Sequence, residues 1–330
     1  MNASDHKKFK FLFPDKIDIK KAFENTPTQV DYVLPGLVAG TTGCIFSPGA
    51  TGKSYLTLEG VMGIAAASSG GDLLGLGVKS ASRVIYLSLE DPEIITQNRL
   101  HAIGKHLNKS ARELVHEGVE IVPLFGEGFD IMEHDHFMSL LDLCNTGEPP
   151  RLIILDTLSR ACTLDLNDGV QARKFMRRIE FLAKKTGAAV VYLHHVSKSS
   201  VRDGKQSDQI AAQGSAVLID DARWGCAVSK MSENEAKEFS ENDRTLKPVD
   251  DNRRQWFVKM SFPKPNYGPP LDDLWFERHD GGVLLPANLF PISAAASNSK
   301  VAPAKTARNA YLDKKNGVVP VQTGGSDDWE

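Results

Sequence analysis

A glycine-bearing turn near the start of the chain carries residue types that bind anions. It lies between a predicted strand and a predicted helix and reads Ser47-Pro48-Gly49-Ala50-Thr51-Gly52-Lys53-Ser54. The turn matches the pattern G-x-x-x-x-G-K-[ST], except that Ser47 replaces the first glycine. Gly49 and Gly52 allow the backbone to wrap closely around a phosphate, and the following helix adds the positive end of its dipole.

The same turn predicts a site for ATP and Mg²⁺. Lys53 would neutralise β- and γ-phosphate oxygens, and the Ser54 hydroxyl would bind Mg²⁺. Tyr55, the next residue of the helix, is a further candidate for nucleotide binding. The alternative is a glycine-rich turn that merely connects a strand to a helix, but the Gly-Lys-Ser triplet in this context favours the nucleotide site.

Two carboxylates end predicted strands. Asp156 closes the apolar run 152–156, where it would orient the hydration shell of Mg²⁺ or, alternatively, cap the next helix. Thr157 rather than glutamate follows it, so the carboxylate that activates water must come from elsewhere. Glu90 ends the preceding strand and is held there by Pro92, which breaks the chain. Glu90 could polarise the attacking water or belong to a solvated acidic loop.

Short apolar runs alternate with helical patterns through most of the chain. Strands are predicted at 42–46, 83–89, 119–123, 152–156 and 189–194, and helices at 53–67, 94–107, 136–144 and 171–186. Runs that are apolar throughout and joined by helices predict strands buried on both faces, hence a mostly parallel sheet. From Arg223 onward strand follows strand, at 223–229, 255–262, 274–278 and 283–285. We expect these four strands to form an antiparallel extension of the same sheet.

Composition excludes several classes of protein. The chain has 330 residues, of which 41% are apolar and 25% charged, and its net charge is -3. This charge argues against a nucleic-acid coat protein, although not against a motor that grips DNA through a few basic loops. Four cysteines without C-x-x-C spacing indicate reduced thiols. The first residues lack an apolar segment and no apolar run approaches about 18 residues. We therefore expect a cytoplasmic protein without a membrane segment.

Together these features resemble the RecA-like superfamily of P-loop ATPases, and within it the plasmid-encoded hexameric replicative DNA helicases of the RepA type. The resemblance extends from Asp31 to Leu289. It is carried by the phosphate-loop residues and by segments 31–35, 88–92, 155–158, 193–198, 214–220, 223–224, 266–268 and 278–284.

The resemblance implies an α/β fold with a RecA-like P-loop core and an antiparallel C-terminal extension. We expect an N-terminal arm at 1–35, the ATPase domain at 36–290, and a disordered tail at 291–330, whose apolar content is too low to offset its ordering entropy. The resemblance also implies a homohexameric ring that translocates 5′ to 3′ on single-stranded DNA, with nucleotide sites at subunit boundaries. A replication initiator or a primase is a candidate partner.

Roles for two further segments follow from the resemblance. His194 or His195 would be the sensor that reports the γ-phosphate, although two adjacent histidines could also be a metal pair or a buried strand end. The polar loop 197–213 resembles the loop that grips DNA in the ring's channel, and its candidate contacts are Lys198, Arg202 and Lys205. A plain solvated loop would have a similar composition.

Two cations resemble groups that act on a neighbouring subunit. Arg223 resembles the arginine finger that reaches a neighbour's γ-phosphate, and Lys264 is a candidate second cation of this kind. Ordinary surface ion pairs are the alternative for both. The main functional hypothesis is a DNA helicase. A RecA-like regulatory or recombination ATPase that binds DNA or protein without unwinding is the alternative. A small-molecule phosphotransferase is disfavoured because no acceptor-binding lid is apparent.

Overall fold

The computed structural model describes residues 16–79, 81–196 and 216–292. Contacts divide the chain into a unit that ends at Asp31 and a unit that begins at Tyr32. In the described part of the first unit, helix α1 (Ile19–Glu24) is exposed throughout, and Asp18 caps it by accepting from the Lys21 N–H at 3.1 Å.

The second unit is built around a nine-stranded sheet. The strands, in chain order, are β1 Tyr32–Leu34, β2 Leu37–Val38, β3 Thr42–Ser47, β4 Val84–Ser88, β5 Val119–Pro123, β6 Leu152–Asp156, β7 Ala189–His195, β8 Trp224–Lys230, β9 Phe239–Ser240, β10 Phe257–Pro265, β11 Leu274–Arg278, β12 Leu284–Pro286 and β13 Phe290–Pro291. The large sheet has the order β12-β11-β10-β8-β3-β7-β6-β4-β5.

Helices connect most of the parallel strands. They are α2 Lys53–Ala66, α3 Glu93–Gly104, α4 Lys109–Gly118, α5 His134–Asn145, α6 Leu158–Ala161, α7 Gly169–Thr186, α8 Ala216–Asp221 and α9 Glu233–Glu238. The predicted bounds of β5, β6 and β11 agree with the structure. The helix predicted at 94–107 ends at Gly104, and α4, which Asn108 caps, was not predicted.

The pairing confirms a mostly parallel sheet with an antiparallel extension. Strands β5, β4, β6, β7, β3 and β8 are mutually parallel, and β10, β11 and β12 continue the sheet antiparallel to their neighbours. The prediction was wrong about β8, which had been placed in the extension. Trp224 of β8 pairs with Gly43 in parallel register. Helix α8 precedes β8 and returns the chain to the opposite end of the sheet, which a parallel connection requires.

The core lies in two layers because both faces of the parallel strands are covered. On one face Ile45 packs with Leu56 of α2. On the other face Phe46 packs with Phe175 and Ile179 of α7. Neighbouring residues of one strand therefore point into different layers, which explains why apolar residues occupy consecutive positions in the centres of β3, β4, β6 and β7.

Two small two-stranded sheets accompany the large one. Strand β1 pairs with β2, and both Val33 and Leu37 are buried. The domain boundary proposed at residue 35 falls inside this pair. Strand β13 pairs with β9 and includes Pro291, the first residue of the predicted tail at 291–330. The part of that tail beyond residue 292 lies outside the described residues.

All four cysteines are free and buried. In residues 16–79, 81–196 and 216–292, no helix is both long and apolar enough to cross a membrane.

Candidate nucleotide site

The phosphate loop joins the end of β3 to the start of α2. Ala50 and Gly52 both have positive φ, 59° and 110°, so the backbone turns sharply at two points. Thr51 is buried, and its hydroxyl donates to the Pro48 carbonyl at 3.0 Å. Gly49 and Ala50 are exposed, and a Cβ on Gly49 would meet nothing within 4 Å. The loop therefore closes at its base and leaves an open rim.

Ser47, which replaces the first glycine of the motif, has a structural role in this loop. Its hydroxyl oxygen lies 2.6 Å from the Thr51 hydroxyl and accepts from Lys53 Nζ at 2.7 Å. The side chain is buried, at 1% exposure. A serine here adds a hydrogen-bonding group at the base of the loop without narrowing the rim, so the substitution is compatible with a phosphate site.

Lys53 is buried at the first position of α2. Its ammonium donates to the Ser47 carbonyl at 3.2 Å and lies 3.1 Å from Nδ1 of His195. Burial lowers the pKa of Lys53 to about 8, although the nearby carboxylates Asp156 and Glu90 partly offset this change. An ammonium in this position is ready to interact with an anion, since a buried cation gains more from a phosphate than an exposed one does.

Asp156 is buried at the carboxyl end of β6. The Tyr86 hydroxyl of the neighbouring strand donates to its carboxylate, and the Ser54 hydroxyl faces the same group. Burial raises the pKa of Asp156, whereas the hydrogen bond from Tyr86 opposes that rise. The structure thus places Ser54 and Asp156, the two predicted Mg²⁺ residues, beside each other.

Glu90 follows β4 and meets His195. Its Oε2 atom lies 3.3 Å from His195 Nε2, and both side chains are partly exposed. Lys53 can donate only to an unprotonated nitrogen, so its contact requires that His195 Nδ1 accepts and Nε2 carries the proton. That tautomer donates toward Glu90. The three residues therefore form one continuous chain of hydrogen-bonding groups.

His194 differs from its neighbour. Its side chain is largely buried, and Nε2 has no hydrogen-bond partner within the described ranges. Burial lowers its pKa to about 4, and His195 and Lys53 add to this effect, so the ring is neutral near pH 7. The described part of the chain contains no group of three His, Cys, Asp or Glu side chains that could hold a metal ion.

Strand register explains why these residues meet. Ser47 pairs with His195 across β3 and β7, and Ser88 pairs with Asp156 across β4 and β6. All four strands run in one direction, so their carboxyl ends lie at one edge of the sheet. Residues after such ends form the binding crevice of open α/β sheets.

Arg223 and Lys264 lie away from this edge. The Arg223 N–H donates to the Thr42 carbonyl at 2.9 Å, at the start of β3, about 16 Å along the strand from Ser47. Lys264 pairs with Gly225 in the adjacent strand, and its ammonium donates to the carbonyls of Ile219 and Asp220. Burial lowers the pKa of Lys264, and the charge of Arg223 adds to this effect, so the two cations are near each other.

The structure does not describe the residues that were predicted to contact DNA. Lys198, Arg202 and Lys205 lie in 197–215, outside the described residues.

Sequence reasoning missed several residues that support the site. Tyr86 binds Asp156, and Arg99 forms an ion pair with Asp91 at 2.5 Å. Tyr86 had a sequence signal, since it carries a polar tip between the apolar residues Ile85 and Leu87 near the end of its strand. The predicted nucleotide residue Tyr55 instead donates its hydroxyl to the Gly281 carbonyl and lies beneath the Arg99 guanidinium.

Two comparisons with known proteins agree with this arrangement. A family model described as an AAA domain matches residues 10–201, more than half of the chain. A solved structure titled "ATPase Domain of G40P" is similar over 87% of this chain and 99% of that chain, with a TM-score of 0.53 and 14% identity. At this identity the similarity concerns the fold alone. Together with the strand order, it confirms the predicted RecA-like α/β core.

Proposed function

Because the chain belongs to the AAA domain family, we propose that it hydrolyses ATP at the carboxyl edge of its sheet. One observation carries the proposal. Strands that are distant in sequence bring Lys53, His195, Glu90 and Asp156 to the same edge, beside a loop with the phosphate-binding pattern. A cation, a proton acceptor and a buried carboxylate are the groups that phosphoryl transfer to water requires.

The residues present fit a nucleotide with Mg²⁺. The Asp156 carboxylate is buried, and within the described ranges no Lys or Arg side chain forms a salt bridge with it. The Ser54 hydroxyl lies beside it. Oxygen ligands of this kind suit a hard divalent cation. Ser54 and Asp156 would hold Mg²⁺, Asp156 through water, and the ion would neutralise charge on the β- and γ-phosphates.

Glu90 has the position of the general base. Its carboxylate would accept a proton from a water molecule as the water oxygen bonds to the γ-phosphorus. The bond from that phosphorus to the bridging oxygen breaks, which yields ADP and inorganic phosphate. Lys53 would neutralise the charge that develops on the phosphate oxygens. His195, which contacts both Glu90 and Lys53, is better placed than His194 to sense the γ-phosphate.

Arg223 and Lys264 support an oligomeric site. They lie at the opposite edge of the sheet from the chain's own phosphate loop, so neither can complete that site from within the same subunit. A head-to-tail contact would bring this edge of one subunit toward the phosphate loop of the next, and such contacts form a ring where the rotation between subunits closes. We propose a homohexameric ring in which Arg223 acts as an arginine finger on the neighbouring site.

A helicase of the RepA type is the most specific function that the sequence supports. Single-stranded DNA would pass through the ring and contact the basic loop that holds Lys198, Arg202 and Lys205, since cations there would meet the phosphates of the strand. Replication of a plasmid, with an initiator or a primase as partner, follows from the same resemblance.

The decisive experiment combines three measurements on the purified full chain. They are ATP hydrolysis with and without single-stranded DNA, displacement of a strand from a forked duplex, and the mass of the oligomer with Mg²⁺ and nucleotide. We expect DNA-stimulated hydrolysis, ATP-dependent displacement and a mass of six subunits. Lys53→Ala should abolish hydrolysis, whereas the exposed Lys184→Ala should behave as wild type.

The outcomes separate the candidate functions. Hydrolysis with DNA binding but without strand displacement would identify a regulatory or recombination ATPase instead of a helicase. Undiminished hydrolysis by Lys53→Ala would contradict the site itself.

A further inference from the structure

A turn near the C-terminal end of the described chain lies against the phosphate loop. We call residues 278–284, which connect β11 to β12, the C-terminal turn. Three hydrogen bonds join it to the loop and to α2. Arg278 Nη2 donates to the Thr51 carbonyl at 2.9 Å, the Tyr55 hydroxyl donates to the Gly281 carbonyl, and the Leu284 N–H donates to Glu59 Oε1 at 2.9 Å.

Two glycines make this close approach feasible. Gly281 and Gly282 have positive φ, 73° and 92°, which a side chain would disfavour. A Cβ on Gly281 would lie 2.8 Å from the Cβ of Ala102, and one on Gly282 would lie 2.7 Å from the Tyr55 ring. The C-terminal turn therefore contacts both α2, which follows the phosphate loop, and α3, which follows Glu90.

Arg278 is the member of this turn that reaches the loop itself. Its guanidinium is half-buried, and burial lowers its pKa. Within the described ranges it is not paired with a carboxylate, and the Thr51 carbonyl accepts its hydrogen bond. The same group packs on Gly52, where a Cβ would lie 2.9 Å from Arg278 Nη2. The arginine thus contacts both residues of the Thr51–Gly52 peptide.

The orientation of that peptide matters for phosphate binding. In a trans peptide the carbonyl and the N–H of the next residue point in opposite directions. Because Arg278 holds the Thr51 carbonyl, the Gly52 N–H points away from Arg278. Gly52 has a φ of 110°, and glycine can rotate to other conformations at little cost. Without a restraint, this peptide could turn its carbonyl toward a bound anion.

We propose that Arg278 is a positioning residue for the phosphate loop, because it fixes the Thr51–Gly52 peptide with its N–H available to phosphate. This inference rests on the proposed function. Arg278 acts through the loop and not on the nucleotide. Loop N–H groups bind phosphate in the ground state and in the transition state alike, so loss of Arg278 should raise KM more than it lowers kcat.

The test compares variants at Arg278 by titration with a fluorescent ADP analogue in the presence of Mg²⁺. Arg278→Met keeps most of the apolar stem but removes the donor, and Arg278→Lys restores a single donor. Arg254→Met is the matched control, since Arg254 pairs with Asp251 and Glu233 and not with the loop. We expect Kd to rise about tenfold or more in Arg278→Met, to recover partly in Arg278→Lys, and to stay unchanged in the control.

Thermal unfolding and steady-state kinetics complete the test. A melting temperature close to that of wild type, with KM raised more than kcat is lowered, would support the positioning role. An unchanged Kd in Arg278→Met would overturn it. A second outcome would also overturn it: Arg278→Met loses affinity together with a lower melting temperature, and Arg278→Lys does not restore the affinity. This result would indicate a role in folding only. If wild-type protein binds no nucleotide, the proposed function fails first, and this inference fails with it.

Discussion

Lys53 Nζ lies 3.1 Å from Nδ1 of His195, across the parallel pair formed by β3 and β7. The other nitrogen of the ring lies 3.3 Å from Glu90. A single histidine thus connects the cation of the phosphate loop with the proposed general base. A γ-phosphate bound by Lys53 would compete with His195 for the ammonium, which would alter the hydrogen bonds of both His195 and Glu90.

Nucleotide affinity should depend on pH through Lys53. Burial lowers its pKa to about 8 in the protein without nucleotide, and a bound phosphate would raise it again. Binding is therefore coupled to proton uptake above pH 8, and affinity for ADP should fall by up to about tenfold for each further pH unit. Calorimetry with Mg²⁺ and ADP between pH 7 and 9.5 measures this change in affinity, which should correspond to the uptake of one proton. Lys53→Arg, whose cation does not titrate in this range, should lack the dependence. An equally steep fall in that variant would assign the effect to another group.

Glu90→Gln should separate binding from hydrolysis. The amide cannot accept a proton from water, so kcat should fall by about a hundredfold or more, while the affinity for ATP stays within a few-fold of wild type. Single-turnover hydrolysis and equilibrium binding measure the two quantities. Asp91→Asn, which changes the adjacent carboxylate that pairs with Arg99, serves as the control and should retain more activity. Near-normal turnover by Glu90→Gln would remove Glu90 from the mechanism.

Tyr86→Phe should weaken the proposed role of Asp156 in holding Mg²⁺. Burial already raises the pKa of this carboxyl, and the Tyr86 hydroxyl opposes that rise by donating to it. Loss of the hydroxyl should raise the pKa of Asp156 further, so the acidic limb of the profile of kcat/KM against pH should move to higher pH. Hydrolysis at several Mg²⁺ concentrations between pH 5 and 8 measures the shift. Tyr192→Phe, whose hydroxyl donates to Leu218 on the other layer, is the matched control. Identical profiles for wild type and Tyr86→Phe would show that this hydrogen bond does not affect catalysis.

The sequence predicted local elements better than the pairing between them. The bounds of β6 were predicted because residues 152–155 are apolar and buried and Asp156 ends the run. Strand β5 is an edge strand that is only partly buried and contains Glu120, and its β-branched residues between Gly118 and Pro123 marked its bounds. Helix α4 was missed because it is short and mostly polar, with Ala111 as its one buried residue and few other apolar residues. The parallel pairing of β8 depends on the path of the chain through α8, which periodicity does not encode.

The candidate site shows the same limit. Lys53, Glu90 and Asp156 could be predicted because a motif or a strand end marks each of them. Arg278 could not, since its contact with Thr51 joins residues 227 positions apart and depends on the antiparallel extension folding back onto α2.

Glu59 should make the stability of the protein depend on pH. The side chain is fully buried in α2, its Oε2 atom has no partner within the described ranges, and burial raises its pKa from the ordinary 4.5 to about 8. Between these two values the folded protein keeps the proton and the unfolded chain releases it. The stabilisation of the folded state is therefore complete below pH 4.5 and is lost as pH rises toward 8.

Glu59→Gln tests this dependence. The amide resembles the protonated carboxyl and can still accept from the Leu284 N–H. We expect similar unfolding free energies for wild type and variant near pH 5, and a variant that is more stable by a few kcal/mol at pH 8. Urea unfolding at both pH values measures the difference, and the exposed Glu238→Gln is the control. A constant difference at the two pH values would show that Glu59 is ionised in the folded protein.

Mixed oligomers should reveal whether Arg223 serves a neighbouring site. Arg223 lies at the edge of the sheet opposite its own phosphate loop, so each proposed site takes Lys53 from one subunit and Arg223 from the next. Arg223→Ala and Lys53→Ala should each be inactive alone. In a random equal mixture, about a quarter of the head-to-tail interfaces combine intact Lys53 with intact Arg223. The mixture should therefore regain ATP hydrolysis that neither variant shows, in proportion to its composition. A subunit that carries both Lys53→Ala and Arg223→Ala, mixed with wild type, gives the activity expected when subunits exchange at random. Strictly additive activity, once mass spectrometry shows that subunits have exchanged, would contradict a site shared between subunits.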